Sequence, residues 1–153
     1  MRFGTKAGQR PPAGLGGRTL RMRRGSSSVR TSRNGGRKRL LVVEDNFDVS
    51  EIVCDFLADL GMEPVGPAAT VEQALILVAD NQLDAGLLDI KLHKERNVFP
   101  VCDLLAARLV PFGFVAGWGP AEVPGTFKGA PMILKPFKRA EILRLVKALL
   151  KEP

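Results

Sequence analysis

The chain has 153 residues, 45% of them hydrophobic and 25% charged, enough for one ordinary domain and too few for two full-sized ones. The longest apolar runs, such as Ala74 to Ala79, fall far short of the roughly 18 residues of a membrane span, and no apolar stretch near Met1 could form a signal-peptide core; two cysteines argue against a disulfide scaffold and point to a reducing, cytoplasmic setting. The net charge of +7 divides unevenly, because residues 1 to 39 hold 12 of the 23 Lys and Arg and none of the 16 Asp and Glu, leaving 11 basic against 16 acidic side chains, or −5, beyond them.

Residues 1 to 38 are mostly Gly, Ser, Pro and Arg with scattered apolar side chains, Phe3, Leu15, Leu20, Met22 and Val29, too few to offset the entropy of ordering. The sequence therefore divides into a disordered basic tail, 1 to 38, and a domain, 39 to 153. Composition favours a solvated tail without function, or one created by start-site choice with Met22 as a later start, over a tether for nucleic acid or an acidic partner. Arg and Ser without acids also suit an organellar transit peptide, although no amphipathic helix is evident.

From Arg39 onward, short buried-strand runs alternate with helix-period segments, the pattern of βα units and a parallel sheet. Five strands are predicted: Leu40 to Val43, a weak one at Glu63 to Val65, Ala85 to Leu88, Phe112 to Val115, and Met132 to Leu134. The first helix opens at Asn46 as N-cap, carries Val49, Ile52, Val53, Phe56 and Leu60 on one stripe, and ends at Gly61. Thr70 and Gln73 have capping-box spacing and open a second helix with Val71, Ala74, Leu75, Val78 and Ala79 on its stripe. A third carries Val98, Val101, Cys102, Leu105 and Leu109, and the last carries Ile142, Leu145, Val146 and Leu149. Between Gly117 and Pro131, five Gly and Pro residues oppose a sustained helix, so the fourth helix should be short or mobile.

Ligands of a parallel α/β sheet collect at the carboxyl ends of its strands. The first predicted strand ends in Glu44 and Asp45, the third in Asp89, and the fifth in Lys135 followed by Pro136. If these strands are neighbours, three carboxylates and one ammonium share one crevice, and the carboxylates repel unless a cation neutralises them. Mg²⁺ suits such a set, since it takes carboxylate and backbone oxygens while keeping waters that a phosphoryl oxygen can displace. Asp89 could then attack phosphorus and carry an acyl phosphate.

The motifs Leu40-Leu41-Val42-Val43-Glu44-Asp45, Leu87-Leu88-Asp89 and Lys135-Pro136-Phe137, in this order, resemble the receiver domain of bacterial two-component response regulators over residues 39 to about 150. The resemblance implies a flavodoxin-like, doubly wound five-stranded α/β sheet of order 2-1-3-4-5, with Asp89 as phosphoacceptor. It also implies that Glu44, Asp45, Asp89 and the backbone carbonyl of Lys91 hold the metal, that Lys135 contacts the phosphoryl group, and that a cis bond joins Lys135 to Pro136. The partner would be a histidine kinase or histidine phosphotransfer protein. Because the chain stops just after the last helix, output is expected through protein interaction or phosphorelay, without enzymatic turnover.

The fourth strand departs from the pattern. Receivers place Ser or Thr where this chain has Ala116, and Phe114-Val115-Ala116-Gly117-Trp118 resembles a degenerate form of the "FAT GUY" receiver subgroup. The aromatic residue usual three positions before the lysine is Met132. Gly117 could still offer an amide to the phosphoryl group, and Trp118 should overhang it and gate water. These departures leave open a pseudo-receiver, a docking module not controlled by phosphorylation. His93 reads as a solvated residue on the loop after Asp89. Cys54 and Cys102 read as unpaired, on helices covering opposite faces of the sheet.

Overall fold

A computed structural model describes residues 36–93, 96–117 and 123–151; the basic segment up to residue 35 and Trp118 lie outside them. Strand β1, Arg39–Val43, shows why the sheet forms. Leu41 and Val43 point into one core while Leu40 and Val42 point into the other, so the run is apolar throughout because both faces are covered. Strand β3, Ala85–Leu88, repeats this, with Leu88 on the first face and Ala85 and Leu87 on the second.

Helix α1, Phe47–Asp59, starts where Asn46 accepts the Val49 N–H at 3.0 Å, an N-cap worth about 1 kcal/mol. It ends before Gly61, whose φ of +83° is readily accessible only without a Cβ. Val53 and Leu57 are buried on it. Ile52, expected on the same stripe, is 46% exposed, because one position before Val53 is about 100° around the helix.

The edge strand β2, Glu63–Ala68, is longer than predicted. Pro64, Gly66 and Pro67 are poor strand formers, but an edge strand tolerates proline, and a register break between Leu41 and Val43 absorbs the irregularity. Helix α2, Val71–Asp80, is capped by Thr70, whose hydroxyl accepts the Gln73 N–H at 3.1 Å, while Gln73 Oε1 accepts the Ala69 N–H at 2.8 Å. The reciprocal bond thus lands one residue earlier than the capping-box spacing implies.

After β3 the chain makes a small antiparallel hairpin, β4 (Lys91–Leu92) with β5 (Arg96–Asn97), where a plain loop was expected. Helix α3, Phe99–Ala107, buries Val101, Cys102 and Leu105. Leu109, expected on that stripe, lies beyond the helix end at φ 59° and is 89% exposed. Strand β6, Phe112–Ala116, runs one residue past its predicted end. Among the described residues between β6 and β7 there is one 3-10 turn, Gly125–Phe127, in place of a regular fourth helix. Strand β7, Met132–Leu134, and helix α4, Arg139–Leu150, complete the fold.

The sheet order is β2-β1-β3-β6-β7, all parallel, which is the predicted doubly wound arrangement. Side chains of α2 and α3 fill one core, those of α1 and α4 the other. Cys102 and Cys54 accordingly sit against opposite faces, both as free thiols.

Candidate functional site: an acidic crevice at the strand ends

Strand register brings the crevice together. Val43 pairs with Leu88, so Glu44 and Asp89 emerge side by side; Leu88 pairs with Phe114, and Ala116 with Leu134, so Lys135 emerges on the same rim. Backbone bonds continue the ladder past the strand ends: Asp89 N–H to Val43 O at 2.9 Å, Glu44 N–H to Ala68 O at 2.9 Å, and Lys135 N–H to Ala116 O at 2.9 Å. Glu44, Asp89 and Lys135 are therefore anchored at their backbones before their side chains make any contact of their own.

Lys135 Nζ lies 2.7 Å from Glu44 Oε1 and 3.0 Å from Asp89 Oδ2. The other Glu44 oxygen, Oε2, accepts the Asn46 N–H at 3.0 Å. Glu44 and Asp89 are 5% and 8% exposed, whereas Asp45 faces solvent. Carboxylate oxygens of Glu44, Asp45 and Asp89 all lie within 4.8 Å of one another.

Burial raises the proton affinity of Glu44, and the bonds from Lys135 and Asn46 only partly offset it; the Asp89 charge adds to the rise. Burial would lower the Lys135 pKa, but its bonds to Glu44 and Asp89 outweigh it and hold the ammonium above its ordinary range. Three carboxylates against one ammonium leave two negative charges uncompensated when all are ionised. An all-oxygen set with that deficit could hold a hard divalent cation. The space enclosed behind Glu44 and Asp89, lined by Val42, Val53, Leu87 and Val115, is about 10 Å³, so an organic substrate has no room there. The larger groove, about 520 Å³, runs along Lys38, Asp84, Leu109 and Phe112 at the opposite strand ends.

Ala116 ends β6 fully buried, with no hydroxyl to offer the crevice. Gly117 is exposed, with nothing within 4 Å of where a Cβ would stand. Lys91 opens the small hairpin two residues past Asp89, and the Lys135–Pro136 bond is cis. Met132 pairs with Phe114 and packs half-buried on the core. His93 is exposed on the hairpin. Sequence reasoning missed Phe127, buried at 8% exposure, and Arg108, which donates to Val78 O at 2.7 Å at the end of α2. Phe127 sits among Gly and Pro with no periodicity to mark it, and no local pattern announces a bond across 30 residues.

No protein-family model matches the chain, and no curated protein matches it. Solved structures do. SdrG from Sphingomonas melonis Fr1 is 36% identical, the match covering 74% of this chain and 97% of that one with a TM-score of 0.68. The chain belongs to the receiver-domain family of response regulators. The receiver domain of the PhyR response regulator from Erythrobacter litoralis is 26% identical over 76% of this chain and 92% of that one, TM-score 0.68. SdrG from Pseudomonas melonis Fr1, solved in its BeF3-activated conformation, is 35% identical over 76% and 98%, TM-score 0.65. The crevice of this receiver thus lies on a five-stranded sheet shared with these relatives.

Proposed function

We propose that this receiver accepts a phosphoryl group on Asp89 from the phosphohistidine of a histidine kinase or phosphotransfer protein, in the cytoplasm, and acts through protein contacts or phosphorelay. The observation that carries this reading is Lys135 Nζ bridging Glu44 and Asp89 at 2.7 and 3.0 Å, beside a third carboxylate within 4.8 Å. Glu44, Asp45, Asp89 and the Lys91 carbonyl would hold Mg²⁺. When bound, that ion offsets the carboxylate charges and those on the phosphoryl oxygens.

An Asp89 oxygen attacks phosphorus; the new P–O bond forms as the P–N bond to the imidazole breaks, and the departing imidazole nitrogen takes up a proton. Lys135 moves from its carboxylate partners to a phosphoryl oxygen, supplying a charge-assisted hydrogen bond to the transferring group. Gly117, just past the end of β6, would offer its backbone N–H to the same group, and nothing lies within 4 Å of where a Cβ would stand there. Trp118, outside the described residues, would shield the acyl phosphate from water. Asp89 stays loaded until hydrolysis or transfer onward, so the chain is a stoichiometric acceptor and not a turnover enzyme. The BeF3-activated conformation of SdrG supports the use of beryllofluoride as a phosphoryl mimic here.

The buried Ala116 and the non-aromatic Met132 favour a second reading, a pseudo-receiver that docks without phosphorylation. Labelling with acetyl phosphate and Mg²⁺ separates the two. Wild type is expected to take up one phosphoryl group, slowly because the hydroxyl donor is missing, and Asp89→Asn none. Stable label on Asp89→Asn would overturn the acceptor assignment, and an unlabelled wild type would favour the docking module.

A further inference from the structure

A closed circuit of four phenylalanines lies between the crevice and the turn after β6. Phe99 opens α3, Phe112 and Phe114 belong to β6, and Phe127 sits on the 3-10 turn. Phe99 stacks on Phe127 with centroids 5.9 Å apart and planes 26° from parallel, and meets Phe114 edge-on at 6.5 Å. Phe112 completes the circuit edge-on to Phe114 and to Phe127, each at 5.8 Å.

Both ends of the circuit are tied to something. Val98, just before Phe99, donates its N–H to Ile90 O at 2.8 Å, and Ile90 follows Asp89 directly. Phe114 pairs with Leu88, which precedes Asp89. At the far end, the bonds Phe127 N–H to Pro124 O, Lys128 N–H to Gly125 O and Ala130 N–H to Phe127 O close within the turn itself. Among the described residues its buried side chains are Val123 and Phe127, so apolar packing seats this turn on α3 and β6.

We propose that the Phe99–Phe127 stack of this circuit, in place of the hydroxyl and aromatic pair that Ala116 and Met132 fail to supply, couples the Asp89 loop to the β6–β7 turn. A shift at Asp89 and Ile90 draws Val98 and Phe99 with it. Phe127 follows because rings packed at core density change place together or not at all. The coupling rests on the reading of Asp89 as the phosphoacceptor.

Amide NMR of the full chain during titration with Mg²⁺ and beryllofluoride tests it. In wild type, the amides of Asp89 and Ile90 and those of Gly125 to Ala130 should shift together with one midpoint. Phe99→Leu should leave the crevice midpoint within about twofold and reduce the turn's shifts to less than about a third. Phe112→Leu, which keeps the Phe99–Phe127 stack, should retain the response; if Phe99→Leu fails to fold, Phe99→Met removes the ring while filling more of the space. A silent turn in wild type with a responding crevice, an unchanged turn in Phe99→Leu, or equal loss in both variants would overturn the coupling. A crevice that ignores the mimic in wild type would instead overturn the phosphoacceptor reading, and the coupling with it.

Discussion

Replacing Lys135 with Met removes the cation that bridges Glu44 and Asp89 and tests how much of the apo fold's stability rests on it. The ammonium lies 2.7 Å from one Glu44 oxygen and 3.0 Å from one of Asp89, attractions of about 1.5 and 1.4 kcal/mol even at the dielectric of bulk water. The lysine side chain is 22% exposed, so part of that gain is offset by the desolvation of a half-buried ammonium. The variant also leaves two nearly buried carboxylates close together without a counterion. A net loss of about 2 kcal/mol follows, and a domain of this size should melt roughly 6–10 °C lower. Circular dichroism melts in EDTA measure this directly. Added Mg²⁺ should then narrow the gap, because the variant crevice carries three uncompensated charges against two in wild type. A melting point within about 2 °C of wild type in EDTA, or a gap that Mg²⁺ leaves unchanged, would refute the reasoning.

Gly66→Ala should destabilise by about 2 kcal/mol or more, since φ is +111° there and the new Cβ would stand 2.9 Å from Val42 O and from Ala68 N; a denaturant midpoint equal to wild type would count against the strained edge strand. Arg108→Ala should cost about 1–2 kcal/mol by leaving the Val78 carbonyl without its guanidinium donor, with faster hydrogen exchange confined to the last turn of α2. Burial, with Asp103 adding to it, pushes the Cys102 thiol up to about 12, so at pH 8 roughly one molecule in ten thousand holds a thiolate there. Iodoacetamide should modify the half-buried Cys54 first and Cys102 only on unfolding, as peptide mass spectrometry would show; burial raises Cys54 as well, so even the first reaction should be slow.

Legibility in the sequence tracked the range of the forces involved. The bounds of β3 and β7 match those read from sequence: β3 is buried at every position, as a central parallel strand must be, and β7, at the sheet edge and only partly buried, is a short apolar run closed by Pro131 and Lys135. The N-caps at Asn46 and Thr70 are equally local. The second half of β2 was illegible, since Gly66 and Pro67 carry turn chemistry and only an edge position accommodates them. Leu109 was misleading because helical period continues past the true end at Ala107, where the chain turns left-handed on a leucine. The hairpin of Lys91–Leu92 with Arg96–Asn97 is too short to show any period.

The crevice was legible for a different reason. Acidic residues directly after an apolar strand are conspicuous in one dimension, and parallel order converts that adjacency to strand ends into adjacency in space. What sequence could not show was that Lys135 bonds both Glu44 and Asp89, across separations of 91 and 46 residues, or that three carboxylates come within 4.8 Å. Both depend on register, which places Val43 beside Leu88 and Ala116 beside Leu134. A one-residue slip of β7 would direct the neighbouring residue onto the rim in place of Lys135 and reverse the faces of Met132, Ile133 and Leu134. The packing of Met132 on one core and Ile133 on the other, which holds β7 in register, therefore also aims the lysine, so the packing of the core and the chemistry of the crevice are set by the same residues.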